Sequence, residues 1–103
     1  MEGGCSSSEP YALRVLGDSM EPEFIDGVVV VVDPGGIVEN GSYVIAMHEG
    51  EHIFRQLLLE GDRCLLKAVN KGYDVLEIPS LAAVKGVVVQ QAGRRRKDRK
   101  RYD

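Results

Sequence analysis

Apolar residues come in short blocks separated by turn-forming clusters at intervals of eight to twelve positions. That spacing predicts strands joined by tight turns. Strands are expected over 11–16, 28–32, 43–47, 53–59, 63–69, 75–78 and 84–90. Val28 to Val32 is an unbroken β-branched run, which suits a buried strand and little else. The punctuation is dense: Asp33-Pro34-Gly35-Gly36, Asn40-Gly41, Glu49-Gly50-Glu51, Glu60-Gly61-Asp62 and Asn70-Lys71-Gly72-Tyr73. No stretch carries a convincing helical period. The expected fold class is all-β, mainly antiparallel, with short turns.

Composition sets the limits of the unit. Residues 1–10, with a Gly pair and Ser6-Ser7-Ser8, read as a flexible leader, 11–92 as one domain and 93–103 as a basic tail closed off by Gly93. The whole chain of 103 residues is large enough for a modest core without metal or disulfide staples. Net charge of −3 hides a split. Through Ala92 there are six basic residues against fourteen acidic, a net of −8, whereas 93–103 carries seven basic against two, a net of +5. Cys5 and Cys64 form no disulfide framework, which fits a reducing, cytoplasmic setting. No apolar run reaches membrane-spanning length, and Met1-Glu2-Gly3-Gly4 lacks a secretion signal's basic and apolar regions. No membrane attachment is expected.

Candidate chemistry centres on Gly17-Asp18-Ser19-Met20-Glu21-Pro22-Glu23, a bend between the first two strands. A strand that stops at Gly and presents Ser on a bend exposes a hydroxyl while holding its backbone still. Nucleophilic serines are presented this way, with backbone N–H groups beside them for a developing oxyanion. Met20 is expected beneath the serine, with Phe24 and Ile25 packed inward. The competing reading is an ordinary polar turn, since Gly, Asp, Ser and Pro are common there.

The order of residues resolves that competition. Gly17-Asp18-Ser19-Met20-Glu21-Pro22, then Asp26-Gly27 and the valine strand, resembles the nucleophile segment of the LexA/UmuD-like serine peptidases. Type I signal peptidases share a related segment. Asn40-Gly41-Ser42-Tyr43-Val44-Ile45-Ala46, Gln56-Leu57, Leu65 through Tyr73 and Val84-Lys85-Gly86-Val87-Val88 follow in that family's order and spacing. The resemblance covers about residues 11–90 and implies a LexA/signal-peptidase-like β domain. It makes Ser19 the nucleophile, with the backbone of Asp18 and Ser19 as oxyanion donors, and calls for no cofactor. In the family a lysine removes the serine proton. Aligning Gly61-Asp62 and Asn70 without a gap puts Arg55 at that lysine position. Arginine stays protonated and cannot act as a general base.

Lys67 is the candidate substitute. If Glu60-Gly61-Asp62 is a three-residue loop, Leu59 opposes Arg63 and Lys67 comes opposite Arg55. A two-residue Gly61-Asp62 turn shifts the pairing by one and removes the idea. Asn70 is expected to cap its turn, with Tyr73 packed beside it. His48 and His52 bracket the three-residue loop Glu49-Gly50-Glu51, could face each other across it, and invite a metal reading. Two imidazoles fall short of the usual three or four zinc ligands, so a solvated hairpin tip is expected and no metal. Arg94, Arg95, Arg96, Lys97, Arg99, Lys100 and Arg101 are either a solvated tail or a sequence-tolerant contact to nucleic acid.

The resemblance also implies partners. LexA-like proteins are DNA-binding repressors that dimerise through this domain and cut their own linker when a recombinase filament stimulates them. UmuD-like relatives lack the DNA-binding part. No helix-turn-helix precedes Ser19, and the family's Ala-Gly or Cys-Gly cleavage bond is absent at its usual distance. The chain is then either an excised C-terminal domain or a short standalone relative. The expected function is the peptidase domain of a stress-response (SOS) or prophage transcriptional regulator, weakened or silenced by Arg55. The alternatives are a non-catalytic dimerisation module and a signal-peptidase-like domain. A homodimer is expected, through an edge offered by Val84 to Val89. DNA contact would come through a missing N-terminal domain or the tail.

Overall fold

The computed structural model describes residues 9–92 and 100–102. Their strands are β1 (Tyr11–Arg14), β2 (Val29–Asp33), β3 (Tyr43–His48), β4 (Glu51–Glu60), β5 (Arg63–Lys67), β6 (Leu76–Ile78), β7 (Val84–Ala92) and β8 (Lys100–Arg101). A single 3₁₀ turn at Leu81–Ala83 precedes β7, capped by the Ser80 side chain. All strand pairs are antiparallel, in one sheet ordered β1-β2-β7-β3-β4-β5-β6, with β8 beside β7. The all-β expectation holds, and each expected strand has its counterpart.

Period-two alternation explains why the sheet packs on both faces. Val30, Val32, Ile45 and Val88 turn to one side and join Val15, Met20, Phe24 and Val28 in one core cluster. Val44, Ala46, Leu57, Leu66, Ile78 and Val87 form a second. β3 contributes to both, so three successive residues, Val44, Ile45 and Ala46, are buried. Phe24, fully buried, meets Tyr43 and Phe54 edge-on at 4.8 Å between centroids and Tyr102 at 5.2 Å. The bend carrying the serine is thereby nailed to the sheet by Met20 and Phe24. Ile25, expected inward, is 49% exposed, because Phe24 takes the inward direction and its neighbour turns to solvent.

Two further expectations change. Gly93 does not close the domain. Lys100 and Arg101 return to pair with Gln91 and Gln90, and the half-buried Tyr102 joins the aromatic cluster. Its hydroxyl donates to Glu23 at 2.5 Å, and Gln91 Nε2 donates to it at 2.6 Å and to the Glu23 carbonyl at 2.9 Å. Arg94, Arg95, Arg96, Lys97 and Arg99 lie outside the described residues. Nor does Val84 to Val89 form a free edge, since β7 pairs with β3 over Val84–Val87 and with β2 from Val87 onward. That closeness explains Gly86, where a Cβ would sit 2.5 Å from Val32 Cγ1. Among the described strands, β1 and β6 end the sheet.

Candidate active site

The bend is fixed by its own backbone before any side chain is considered. Gly17 adopts φ +91°, a left-handed conformation that suits glycine, and its amide donates to Asp26 Oδ1 at 2.7 Å. Below the bend, the Val15 amide donates to Val28 O at 2.8 Å and the Gly27 amide to Val15 O at 2.7 Å. The Phe24 amide donates to Met20 O at 2.8 Å. Asn70 clamps the bend from the other side. Its amide donates to Ser19 O at 2.9 Å and its Nδ2 to Asp18 O at 3.1 Å. Its Oδ1 accepts from the Gly72 amide at 3.0 Å, so the expected cap is present and the clamp is additional. Sequence offered no signal for the clamp, because it joins residues 52 positions apart.

Arg55 reaches Ser19. From the middle of β4, its Nη1 donates to Ser19 Oγ at 3.1 Å and to Phe54 O at 2.8 Å. The serine oxygen therefore accepts from a cation where an active serine would donate its proton to a base. Burial pushes the Arg55 pKa down and the Tyr73 phenol opposes this, but a guanidinium stays charged throughout ordinary pH. Tyr73 does more than pack beside Asn70. Its ring lies 5.6 Å from Arg55 Cζ, within cation–π range, and its hydroxyl donates to Asp18 Oδ1 at 2.5 Å. That bond to a carboxylate, aided by burial, raises the Tyr73 pKa.

Lys67 takes no part. Leu59 pairs with Cys64 and Glu60 with Arg63, so the connection is the two-residue Gly61-Asp62 turn. Lys67 then opposes Gln56, and the alternation of the strand turns it to the face away from Arg55. It is exposed and lines no part of the serine's groove. The histidines separate for the same reason. His48 pairs with Glu51 and His52 with Met47 around a two-residue Glu49-Gly50 turn, so the rings project to opposite faces. No cluster of three or more metal-binding side chains occurs among the described residues.

Ser19 and Arg55 open onto a groove of about 420 Å³. Leu13, Leu16, Ile45, Ile53 and Phe54 supply its apolar walls, and Arg14, Asp18, His52 and Tyr73 its polar ones. His52 and Tyr73 were not foreseen as groove residues, because only the β3–β4 register and the 70–73 turn bring them there. No hydrogen bond joins His52 to Ser19 among the described residues. A larger depression of about 830 Å³ runs beside Val87 to Gln90 and contains neither Ser19 nor Arg55.

Comparison with known proteins follows the same residues. A family model described as Peptidase S24-like matches residues 4–89. The HTH-type transcriptional regulator for conjugative element SXT of Vibrio cholerae is 38% identical over 87 residues, covering 78% of this chain and 40% of that protein. Repressor protein C2 of Salmonella phage P22 is 35% identical over 89 residues, 81% of this chain and 41% of the relative. The LexA repressor of Magnetococcus marinus is 34% identical over 70 residues, 67% of this chain and 30% of the relative. The chain spans about two fifths of the length of the first two relatives.

Proposed function

The chain belongs to the Peptidase S24-like family, and from that membership we propose that it is the regulatory domain of a transcriptional regulator whose serine site lacks a working base. One observation carries this reading: Arg55 Nη1 donates to Ser19 Oγ at 3.1 Å, and the resemblance assigns to residue 55 the family's lysine. A permanently protonated donor occupies the oxygen's lone pair and cannot take its proton. The bend, the Asn70 clamp and the groove are all retained, so what is lost is the proton acceptor and not the scaffold. The amides of Asp18 and Ser19, which donate to no acceptor among the described residues, are the oxyanion donors of this reading.

In this role the domain serves assembly. The relatives carry names of repressors and HTH-type regulators, and we take this chain to act with a DNA-binding partner domain, as a homodimer, in the cytoplasm. No helix among the described residues is long and apolar enough to cross a membrane. Incubation with a fluorophosphonate followed by intact-mass measurement tests the silent serine. Unmodified protein is expected, and rapid, stoichiometric labelling abolished by Ser19→Ala would overturn the reading. Light scattering tests the assembly, with a dimer mass expected at micromolar concentration.

A further inference from the structure

Asn70 grips both peptide groups that flank Ser19. Its amide donates to Ser19 O at 2.9 Å and its Nδ2 to Asp18 O at 3.1 Å. Those carbonyls belong to the Ser19–Met20 and Asp18–Ser19 peptides, the two planes that meet at the serine's Cα. Peptide groups are rigid, so fixing both planes fixes φ and ψ of Ser19. In a trans peptide the N–H points opposite to the C=O, and the Asp18–Ser19 bond is trans. A carbonyl of Asp18 held towards Asn70 therefore turns the Ser19 N–H to the far side. That N–H donates to no acceptor among the described residues, and Ser19 lines the groove.

Closing the 70–73 turn does not call for this arrangement. The turn is held by Asn70 Oδ1, which accepts from the Gly72 amide at 3.0 Å, and by the Tyr73 amide, which donates to Asn70 O at 3.4 Å. Nδ2 has no part in it. Nor does Asp18 O need Nδ2 for a partner, because the Glu21 amide already donates to it at 3.2 Å. What the extra donor adds is a second point of attachment for the peptide plane, from a residue 52 positions away. Asn70 is itself held firmly. Ala68 is buried, and Val69 packs against the cluster that contains Met20 and Phe24, the two residues that root the serine's bend.

We propose that Asn70 is a positioning residue for the oxyanion site, setting the direction of the Ser19 N–H through the two peptide planes while touching no reacting atom. This rests on the reading of the Ser19 amide as an oxyanion donor and is independent of whether the serine has a base. Arg55 disables the nucleophile, and Asn70 keeps the half of the site that would receive the electrophile's oxygen in place.

Ser19→Cys makes the test possible without a base, because a thiol beside a guanidinium ionises readily, its proton passing to water. With p-nitrophenyl acetate the new thiolate bonds to the carbonyl carbon, an oxyanion develops on the carbonyl oxygen, and p-nitrophenolate leaves. With iodoacetamide the same sulfur bonds to the methylene carbon and iodide leaves, with no oxyanion. Both rates are followed at position 19 by peptide mass mapping, which keeps Cys5 and Cys64 out of the reading. Acylation relative to alkylation should be about tenfold or more higher in the folded Ser19→Cys protein than in the same protein unfolded in urea. Adding Asn70→Asp, which keeps the acceptor for Gly72 and loses the donor, should cut that ratio about tenfold to a hundredfold, and so should Asn70→Ala. A role confined to the turn slows both reagents alike and leaves the ratio where it was. An unchanged ratio in either variant overturns the proposal; a fall in Asn70→Asp alone is charge repulsion and not lost positioning. A folded ratio no higher than the unfolded one sinks the oxyanion reading and the proposal together. Fluorophosphonate labelling of the parent bears on the silent serine alone, so the two readings fail separately.

Discussion

Arg55→Lys is the most informative single change. The guanidinium holds Ser19 Oγ at 3.1 Å and has no lone pair to offer, whereas a neutral lysine has one. Burial lowers the Arg55 pKa, and the same cause would act in the same direction on an ammonium in its place. The bend needs no rebuilding, since Gly17, Asp26 and Asn70 fix it independently of residue 55. General-base assistance is worth about 10²–10⁴ in rate, and Arg55→Lys should gain a rate of that order in fluorophosphonate labelling. The labelling rate should climb with pH as the lysine loses its proton, while the parent stays flat. Ser19→Ala in the Arg55→Lys background should remove the mass shift entirely. Two results would refute the reasoning: a parent that labels as fast as Arg55→Lys, or an Arg55→Lys rate independent of pH. His52→Ala in the parent checks the imidazole of the groove, and no change in labelling is expected.

Other outcomes follow from packing and charge. Gly86→Ala drives a Cβ to 2.5 Å from fully buried Val32, and such overpacking should cost about 1–3 kcal/mol in urea unfolding. Asn70→Ala removes the donor to Asp18 O and the acceptor for Gly72, both in exposed bonds, with an expected cost of about 0.5–1.5 kcal/mol in urea unfolding. Burial first, then the Glu23 carboxylate, raise the Tyr102 pKa above its ordinary value. Stability from that proton is fully present below about pH 10 and is lost as pH rises further, so Tyr102→Phe should flatten alkaline unfolding. If the basic segment binds nucleic acid, replacing Arg94 to Lys97 and Arg99 by Gln should abolish it and its salt dependence, with melting unchanged. Deleting 93–103 is the wrong probe, because it removes β8 and Tyr102 as well.

How much of this was legible in the chain depends on the range of each interaction. Strand existence was, since Val28 to Val32 and its counterparts carry local period-two and turn signals. Ser19 and Arg55 were legible through motif order. Register was not: whether Gly61-Asp62 turns in two residues or three decides the face of Lys67, and both fit the sequence. The same one-residue ambiguity sent His48 and His52 to opposite faces. Long-range pairings were invisible too. Tyr102 reaches back 79 positions to Glu23, and nothing in a run of Arg and Lys announces an aromatic anchor behind it. Ile25 went astray because a bend has no fixed period from which to tell inside from outside.

The placement of β7 has a kinetic meaning. β2 and β3 follow one another along the chain, yet β7, made of residues 84–92, lies between them. The β1–β2 hairpin-like unit and the β3–β6 meander can each begin locally, but neither can dock on the other until β7 threads the gap. Closing that circuit carries the entropy of a long loop before any contact repays it, the signature of slow folding. Until then the valine-rich flank of β2 and the inner flank of β3 are naked strand edges, open to neighbouring chains. Recovery from denaturant should therefore be slow and strongly dependent on protein concentration, with late dilution favouring the native sheet.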